Sequence, residues 1–321
     1  MIGTGRAVPP KILTNYDLEK IVDTTDEWIV TRTGIKERHI ADENTTASTL
    51  ATEAALTALN RADVKPDDLD LILVATVTPD MPFPSTAAII QSKIGAKKAA
   101  VMDVAAGCTG FIYGLSIVDS YIKSGTFKKI LLIGVEVLSK ITDWQDRSTC
   151  VLFGDGAGAV VIEASKERTG IMGTYIRADG SHGDLLKMPG GGSKFPASQS
   201  SVDQRLHFLK MSGNEVFKVA VRAMNEASQT ILSKTGIKAD EIGMLVPHQA
   251  NVRIIRATAE RLKIPPEKVY INIDRYGNTS SASIPIALDE IRNNGHYEKA
   301  NPLLLVAFGA GFTWGSAAIT W

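Results

Sequence analysis

An α/β fold built from two copies of one unit is predicted by three observations. Short apolar runs alternate with longer segments of helical period. Several of those runs carry no polar face, which suits strands buried on both sides of a parallel or mixed sheet covered by helices. The same order of elements returns after about 170 residues. At 321 residues the chain exceeds the usual size of a single core, and with 44% hydrophobic residues it can bury a large one. Lys+Arg and Asp+Glu are both 35, so no global field draws nucleic acid or a membrane surface, and a charged partner must be met by a local patch. The two cysteines, Cys108 and Cys150, form no C-x-x-C and no Cys/His cluster, which argues against a disulfide framework or a metal site. Without a charged-then-apolar leader or an apolar run near about 18 residues, a soluble cytoplasmic protein is expected.

In the first half, Thr14 caps one short helix and Thr25 a second, running Asp26–Thr33 and stopped by Gly34; Trp28 and Arg32, four apart, share a face. An Ala-rich helix spans about Ala47 to Ala62, and Leu69–Ala75 reads as a buried strand. The loop Thr78–Pro84 is turn-rich, and Ser85 caps a helix to Ile94. Asp103-Val104-Ala105-Ala106-Gly107-Cys108-Thr109-Gly110 reads as strand, tight turn and helix start, with Lys129–Val135 as the next strand. In the second half, Asn214 to Lys234 is a helix, Ile242–Val246 a strand, Arg253 to Leu262 a helix and Val269–Ile273 a strand. A helix near Ile284 to Arg292 and a strand Leu303–Phe308 follow. Leu69–Ala75 matches Ile242–His248, Gly107-Cys108 matches Gly277-Asn278, and Ile130–Val135 matches Leu303–Phe308. The halves are taken as 1–165 and 166–321. Cys108 and Asn278 are expected at equivalent helix starts facing the seam, where sites tend to form.

Cys108 at a helix entrance meets unpaired N–H groups and the positive end of a dipole, which favours thiolate over thiol without a dedicated base. Taken alone, it reads better as a buried structural cysteine than as a nucleophile. His248 stands at a strand's C-terminal end, where open α/β sheets build sites. Asn278 lies in Tyr276-Gly277-Asn278-Thr279-Ser280-Ser281-Ala282-Ser283, which also reads as a simple cap and turn. Together they supply a nucleophile for acyl groups and two neutral donors for one carbonyl oxygen, able to hold enolate-like charge. Phe308-Gly309-Ala310-Gly311-Phe312 can bring a backbone N–H beside that of Cys108.

These residues resemble β-ketoacyl-[acyl carrier protein] synthase III of the thiolase-like superfamily. The resemblance runs from Asp26–Gly34 through Phe153–Gly158 to Phe308–Gly315. It is carried most specifically by G-C-T-G at Cys108, V-P-H-Q-A-N at His248 and Y-G-N-T-S-S-A-S at Asn278. It implies a duplicated five-layer αβαβα fold, a homodimer, and no cofactor beyond the CoA thioester and the carrier protein's phosphopantetheine. The implied reaction begins when acyl-CoA acylates Cys108. Malonyl-acyl carrier protein then loses CO₂ with its thioester oxygen on His248 and Asn278, and the carbanion attacks the acyl-Cys. It further implies an oxyanion hole of Cys108 and Ala310 N–H, CoA on Trp28, Arg32 and Arg147, and pantetheine along Gly213, Asn214 and Asn251. Phe83 is implied to reach across a dimer interface to the partner's acyl pocket.

A degradative thiolase would need a second cysteine in Phe308–Phe312, which has none; elongating synthases use a second His where Asn278 stands; plant-type polyketide synthases share the trio but are usually longer. A thioester hydrolase or acyltransferase using Cys108 and His248 is the alternative from another class, with a related polyketide-type condensing enzyme or an inert scaffold behind it. On the helix after Asn251, Ile254, Ile255, Thr258, Ala259 and Leu262 form one face, while Arg253, Arg256 and Arg261 lie on the other with Glu260. They make a solvated face or, under the resemblance, a dock for an acidic carrier protein. Gly154–Gly158 precedes a strand instead of opening a helix and is expected to be a sharp turn; Gly190–Lys194, with Gly180–Gly183, is expected to be a mobile cap near the tunnel mouth.

Overall fold

The structure is a computed structural model, and it describes residues 1–166, 169–295 and 300–321. One mixed sheet is made of β1 (Gly3–Ala7), β2 (Leu71–Ala75), β3 (Ala100–Val104), β4 (Lys129–Val137) and β5 (Asp155–Glu163), in the order β1-β5-β4-β2-β3. The other is made of β6 (Gly170–Ala178), β7 (Met244–Pro247), β8 (Leu303–Gly309) and β9 (Thr313–Thr320), in the order β7-β8-β9-β6. Every strand of the first sheet precedes residue 165, and every strand of the second follows it.

Five layers result, assigned by what each helix touches. α2 (Ala47–Ala62) and α3 (Thr86–Ile94) cover the outside of the first sheet. α4 (Gly110–Lys123) and α7 (Ser283–Asn293) lie between the sheets and touch both. α5 (Gly213–Thr235) covers the outside of the second sheet with α6 (Val252–Arg261) against it. The smaller helix α1 (Asp26–Thr33) lies against α6. The inner pair explains the apolar composition: Phe111, Ile112, Leu115 and Val118 of α4, and Ile284, Leu288 and Ile291 of α7, are fully buried in the central core. Burial of each such side chain contributes about 1.5–3 kcal/mol.

The duplication is visible in register. Leu71 pairs with Ile130 in parallel, and Met244 pairs with Leu303 in parallel; both pairs are 173 residues apart. The Gly107–Thr109 turn before α4 and the Ser280–Ala282 turn before α7 are also 173 apart, and Gly107 (φ 55°) and Ser280 (φ 49°) share the left-handed conformation. Cys108 is therefore equivalent to Ser281, and Asn278 sits three residues earlier, opposite Ala105. The two glycine-containing pairs, Gly107-Cys108 and Gly277-Asn278, are alike in sequence but out of register.

Two further expectations are corrected. Val269–Ile273 is not a strand: Val269 makes a single parallel bridge to Leu245, and Ile273 begins a short helix to Tyr276. The second sheet thus keeps only a trace of the strand that β3 provides in the first. Gly154–Gly158 is no turn either, since β5 begins at Asp155. Its glycines serve close packing, as a Cβ on Gly158 would lie 2.6 Å from Ile286 N. Among the described residues no helix is long and apolar enough to cross a membrane.

Candidate active site

Cys108 sits in the Gly107–Thr109 turn that leads into α4, pressed against the end of β8. Both contacts require glycine: a Cβ on Gly309 would lie 2.5 Å from Cys108 N, and one on Gly107 2.8 Å from Ala310 N. Cys108 lines two cavities. One, of about 600 Å³, is lined by Cys108, His248 and Asn278 at its floor and by Arg32, Asn214 and Arg253 among its walls. The other, of about 180 Å³, shares Cys108, Phe153 and Leu186 with the first and is mostly apolar, with Val77, Leu138, Ile141 and Leu209.

The thiolate expected at this helix entrance is not favoured. Burial pushes the Cys108 thiol up to about 12, and the nearby Glu136 carboxylate acts in the same direction, outweighing hydrogen bonds from Ser280 and from its own backbone. Cys108 itself is half-buried, at the border of both cavities. Cys150 is buried and likewise pushed up by burial, to about 11, which fits a structural thiol.

His248 follows β7, and its N–H donates to Val306 O at 2.8 Å. The ring is 1% exposed, and burial holds it down to about 3, so it is neutral at pH 7. Its Nδ1 lies 2.8 Å from Ser283 Oγ, which also accepts from Gln249 N at 3.3 Å. With that lone pair occupied, the buried Ser283 hydroxyl is satisfied by donating to Nδ1, which leaves the proton of His248 on Nε2. Asn278 is held by its backbone, donating to Leu152 O at 2.8 Å and accepting from Gly154 N at 3.1 Å. Its Oδ1 accepts from Ser280 N at 2.9 Å, which leaves Nδ2 as the free donor. The trio thus presents one thiol and two neutral N–H donors.

Arg32 and Arg147 stack on Trp28, at 4.8 and 5.0 Å from its ring. Arg32, Gly213, Asn214, Asn251 and Arg253 line the larger cavity, whereas Trp28 and Arg147 stand outside its lining. Asn251 caps α6, accepting from Arg253 N and donating to Arg32 O. Arg256 and Arg261 do not join Arg253 at the mouth; each borders a separate depression on the flanks of α6. Phe83 is 83% exposed and lines neither cavity of its own chain. Ala310 lines the smaller cavity with Cys108. Of the glycine-rich cap, Gly190 and Gly191 are tied by backbone bonds to Leu206 and Phe195, and the adjacent Leu186 borders both cavities.

Three residues near the trio were not singled out from sequence: Ser280, Ser283 and Glu136. The serines sat in plain view within the Asn278 motif, but hydroxyls there are ordinary for a helix start. Glu136 directly follows the apolar run Lys129–Val135, and a lone acid inside a buried strand is the signal that marks it. Among the described residues no group of three or more His, Cys, Asp or Glu is placed to hold a metal ion.

Known proteins match both the sequence and this architecture. The family model for 3-oxoacyl-[acyl-carrier-protein (ACP)] synthase III matches residues 102–180, and the model for its C-terminal part matches residues 232–321. The β-ketoacyl-[acyl-carrier-protein] synthase III of Caldanaerobacter subterraneus subsp. tengcongensis is 56% identical over 100% of this chain and 97% of its own length. The crystal structure of 3-oxoacyl-[acyl-carrier-protein] synthase III from Aquifex aeolicus is 51% identical, with a TM-score of 0.92 over 100% of this chain and 99% of that one. The corresponding structure from Thermus thermophilus is 45% identical, with a TM-score of 0.93 over 100% and 98%.

Proposed function

The chain belongs to the β-ketoacyl-[acyl-carrier-protein] synthase III family, with its thiolase-like fold, and from that membership we propose how its residues divide the reaction. The enzyme is an acyltransferase that condenses an acyl-CoA primer with malonyl-acyl carrier protein, the step that initiates fatty-acid synthesis. In the proposed division, Cys108 attacks the acyl-CoA carbonyl, and the N–H groups of Cys108 and Ala310 hold the oxyanion. CoA leaves, and the acyl chain occupies the apolar cavity beyond Cys108. Malonyl thioester then enters from the larger cavity, with its carbonyl oxygen on His248 Nε2–H and Asn278 Nδ2–H. As CO₂ leaves, its electron pair passes to that oxygen as an enolate, and the α-carbon attacks the acyl-Cys carbonyl. A neutral His suits this role, because it donates without needing to titrate.

Trp28, Arg32 and Arg147 take the adenine and phosphates of CoA, and Gly213, Asn214 and Asn251 flank the pantetheine. The carrier protein docks at Arg253, with Arg256 and Arg261 as outlying cations. A homodimer belongs to the same reading, supported by the free edge strand β3 and the exposed Phe83, which would close the partner's acyl cavity. A cytoplasmic location completes it.

One observation carries the proposal: Cys108, His248 and Asn278 line one cavity while a second, mostly apolar cavity also borders Cys108. The test is purified enzyme with acyl-CoA, then malonyl-carrier protein. A Cys108 acyl adduct by peptide mass, followed by CO₂ and β-ketoacyl product, is expected. Free acid without CO₂ would instead establish the hydrolase alternative.

A further inference from the structure

The two donors assigned to the enolate stand on segments that no continuous ladder of strands joins. In the first half the equivalent segments are paired: β2 and β3 run in parallel as far as Ala75 and Val104, and Thr76 N donates to Val104 O at 3.2 Å. By the offset of 173 residues, Ala75 corresponds to His248, Thr76 to Gln249 and Val104 to Gly277. In the second half that pairing is gone. Tyr270 N donates to Leu245 O at 2.9 Å, but the ladder ends at the single bridge there, and Ile273–Tyr276 turns into a short helix. The spacing of His248 and Asn278 needs another source.

Gln249 supplies one. Its side chain is buried and reaches from the end of β7 across the gap. Oε1 accepts from Asn272 N at 3.0 Å and Ile273 N at 3.2 Å; Nε2 donates to Pro247 O at 2.8 Å and Tyr270 O at 3.2 Å. Two N–H groups on one side and two carbonyls on the other allow a single orientation of the amide, with both of its donors and both of its acceptor positions in use. The short helix has no cap from its own first residue, because Asn272 turns its side chain to Glu290 of α7. Glu290 also binds Arg275 and Tyr276, which fastens the helix to α7 and not to β7. The link to the strand that carries His248 is left to Gln249.

The other flank of Asn278 is tied to the same dipeptide. Ser283 Oγ, at the start of α7, lies 2.8 Å from His248 Nδ1 and accepts from Gln249 N at 3.3 Å. His248 and Gln249 thus hold the Asn278 loop on both sides, at Ile273 five residues before it and at Ser283 five after. We propose that Gln249 is a positioning residue that sets the distance between His248 Nε2 and Asn278 Nδ2, the two donors that meet one thioester oxygen. The proposal rests on the reading of His248 and Asn278 as the enolate donors. Gln249 itself is set back from the substrate, since His248, Ala250 and Asn251 line the larger cavity and Gln249 does not.

The bonding pattern fixes the residue type. Glutamate would keep both acceptor contacts but turn a carboxylate towards the carbonyls of Pro247 and Tyr270; asparagine is one methylene short; methionine fills the volume without donating a hydrogen bond. An enolate shared between two donors needs both in place at once, so a displacement of about 1 Å at either can slow decarboxylation by up to about 10²-fold. Acylation draws instead on the Gly107–Thr109 turn and on Gly309 and Ala310, which none of the four Gln249 side-chain bonds reaches.

The test follows the two half-reactions separately on the full-length enzyme: single-turnover acylation, read as CoA release and as mass on the Cys108 peptide, and CO₂ release from malonyl-carrier protein. Gln249→Met should acylate within about threefold of wild type and decarboxylate at least about tenfold slower, the loss lying in kcat with KM for malonyl-carrier protein within about twofold. Added to Asn278→Ala, the same change should slow decarboxylation by less than about threefold more, since one donor alone has no partner to be spaced from. Where Gln249→Met fails to fold, Gln249→Glu, which keeps the contacts to Asn272 and Ile273, should show the same split at about threefold or more. Decarboxylation at the wild-type rate, or both half-reactions lowered by one factor, overturns the proposal while Asn278→Ala remains slow. Failure of both Gln249 variants to fold also overturns it, by assigning the side chain to folding. An Asn278→Ala enzyme that decarboxylates like wild type overturns the donor reading beneath it as well.

Discussion

At matched positions 173 residues apart, the first half carries Ala75, Ala105, Gly107, Cys108 and Glu136, where the second carries His248, Asn278, Ser280, Ser281 and Gly309. The backbones correspond down to a shared left-handed turn. The side chains do not. Opposite His248, Asn278 and Glu136 the other half has alanine or glycine, and opposite Cys108 it has Ser281, which hydrogen-bonds Glu136 rather than lining either cavity. Two sites that would be identical in a symmetric ancestor have become one composite site, to which, under the proposed roles, one half brings the nucleophile and the other the enolate donors. Holding Ser280 in the left-handed region costs about 1–2 kcal/mol more than glycine would, a strain the first half avoids with Gly107.

The sharpest way to break this division is to delete one contribution and ask whether the other survives. Cys108→Ala should lower condensation by about 10⁴-fold or more, as loss of a nucleophile does, while malonyl-carrier protein still releases CO₂ on the intact His248 and Asn278. Decarboxylation that vanishes along with condensation would mean the two contributions do not act separately.

The converse change is Asn278→Ala. Removing one oxyanion donor is expected to slow decarboxylation by about 10²–10³-fold and to leave acylation of Cys108 within a few-fold of wild type, both measurable in single turnover. The backbone bonds of Asn278 to Leu152 and Gly154 do not involve its side chain, so the turn should persist.

Much of this is legible in the sequence. Cys108 and His248 stand at the turn and the strand end expected for them, because these are local features with strong sequence marks, whereas Asn278 lies in the loop ahead of the Ser280–Ala282 turn. Three things were not legible, each for a physical reason. The register of the repeat slipped by three residues because Gly107 and Gly277 both adopt positive φ, at 55° and 64°, and look alike in a string of letters. The environment of Cys108 is set by segments far apart in sequence, Glu136 among them, and burial there pushes the thiol up, against the direction argued from the helix end. Glu136 was passed over because a buried acid satisfied by hydroxyls and one N–H from distant segments has no pairing cation in sequence.

Buried groups on the two sides also pull stability in opposite directions with pH. His248, held down to about 3, leaves the native state one proton short of the unfolded chain below about 6.5, so its contribution falls as pH drops through that window. Glu136, pushed up to about 7, keeps a proton that the unfolded chain releases above about 4.5, so its contribution falls as pH rises from there to 7. Between about 4.5 and 6.5 the two slopes, each about 1.4 kcal/mol per pH unit at most, offset one another. In Glu136→Gln only the His248 slope remains. Urea unfolding should therefore show the variant gaining stability relative to wild type from pH 5 to pH 6.5; parallel curves would show that Glu136 is ionised throughout.

The smallest expected effect tests whether the division extends to the surface. Arg253 lies on α6, in the second half, at the rim of the larger cavity, with its guanidinium 5.3 Å from the Phe217 ring. CoA is assigned instead to Trp28, Arg32 and Arg147, all from the first half. If each substrate is met by its own half, Arg253→Glu should raise KM for malonyl-carrier protein by several-fold to about tenfold, in line with about 1 kcal/mol for a rim charge, and more at low salt. KM for acyl-CoA should stay unchanged. Steady-state kinetics with each substrate varied in turn distinguishes the outcomes. Equal increases in both would mean that the reversed charge disturbs the shared mouth, and that the partition holds only at the cavity floor.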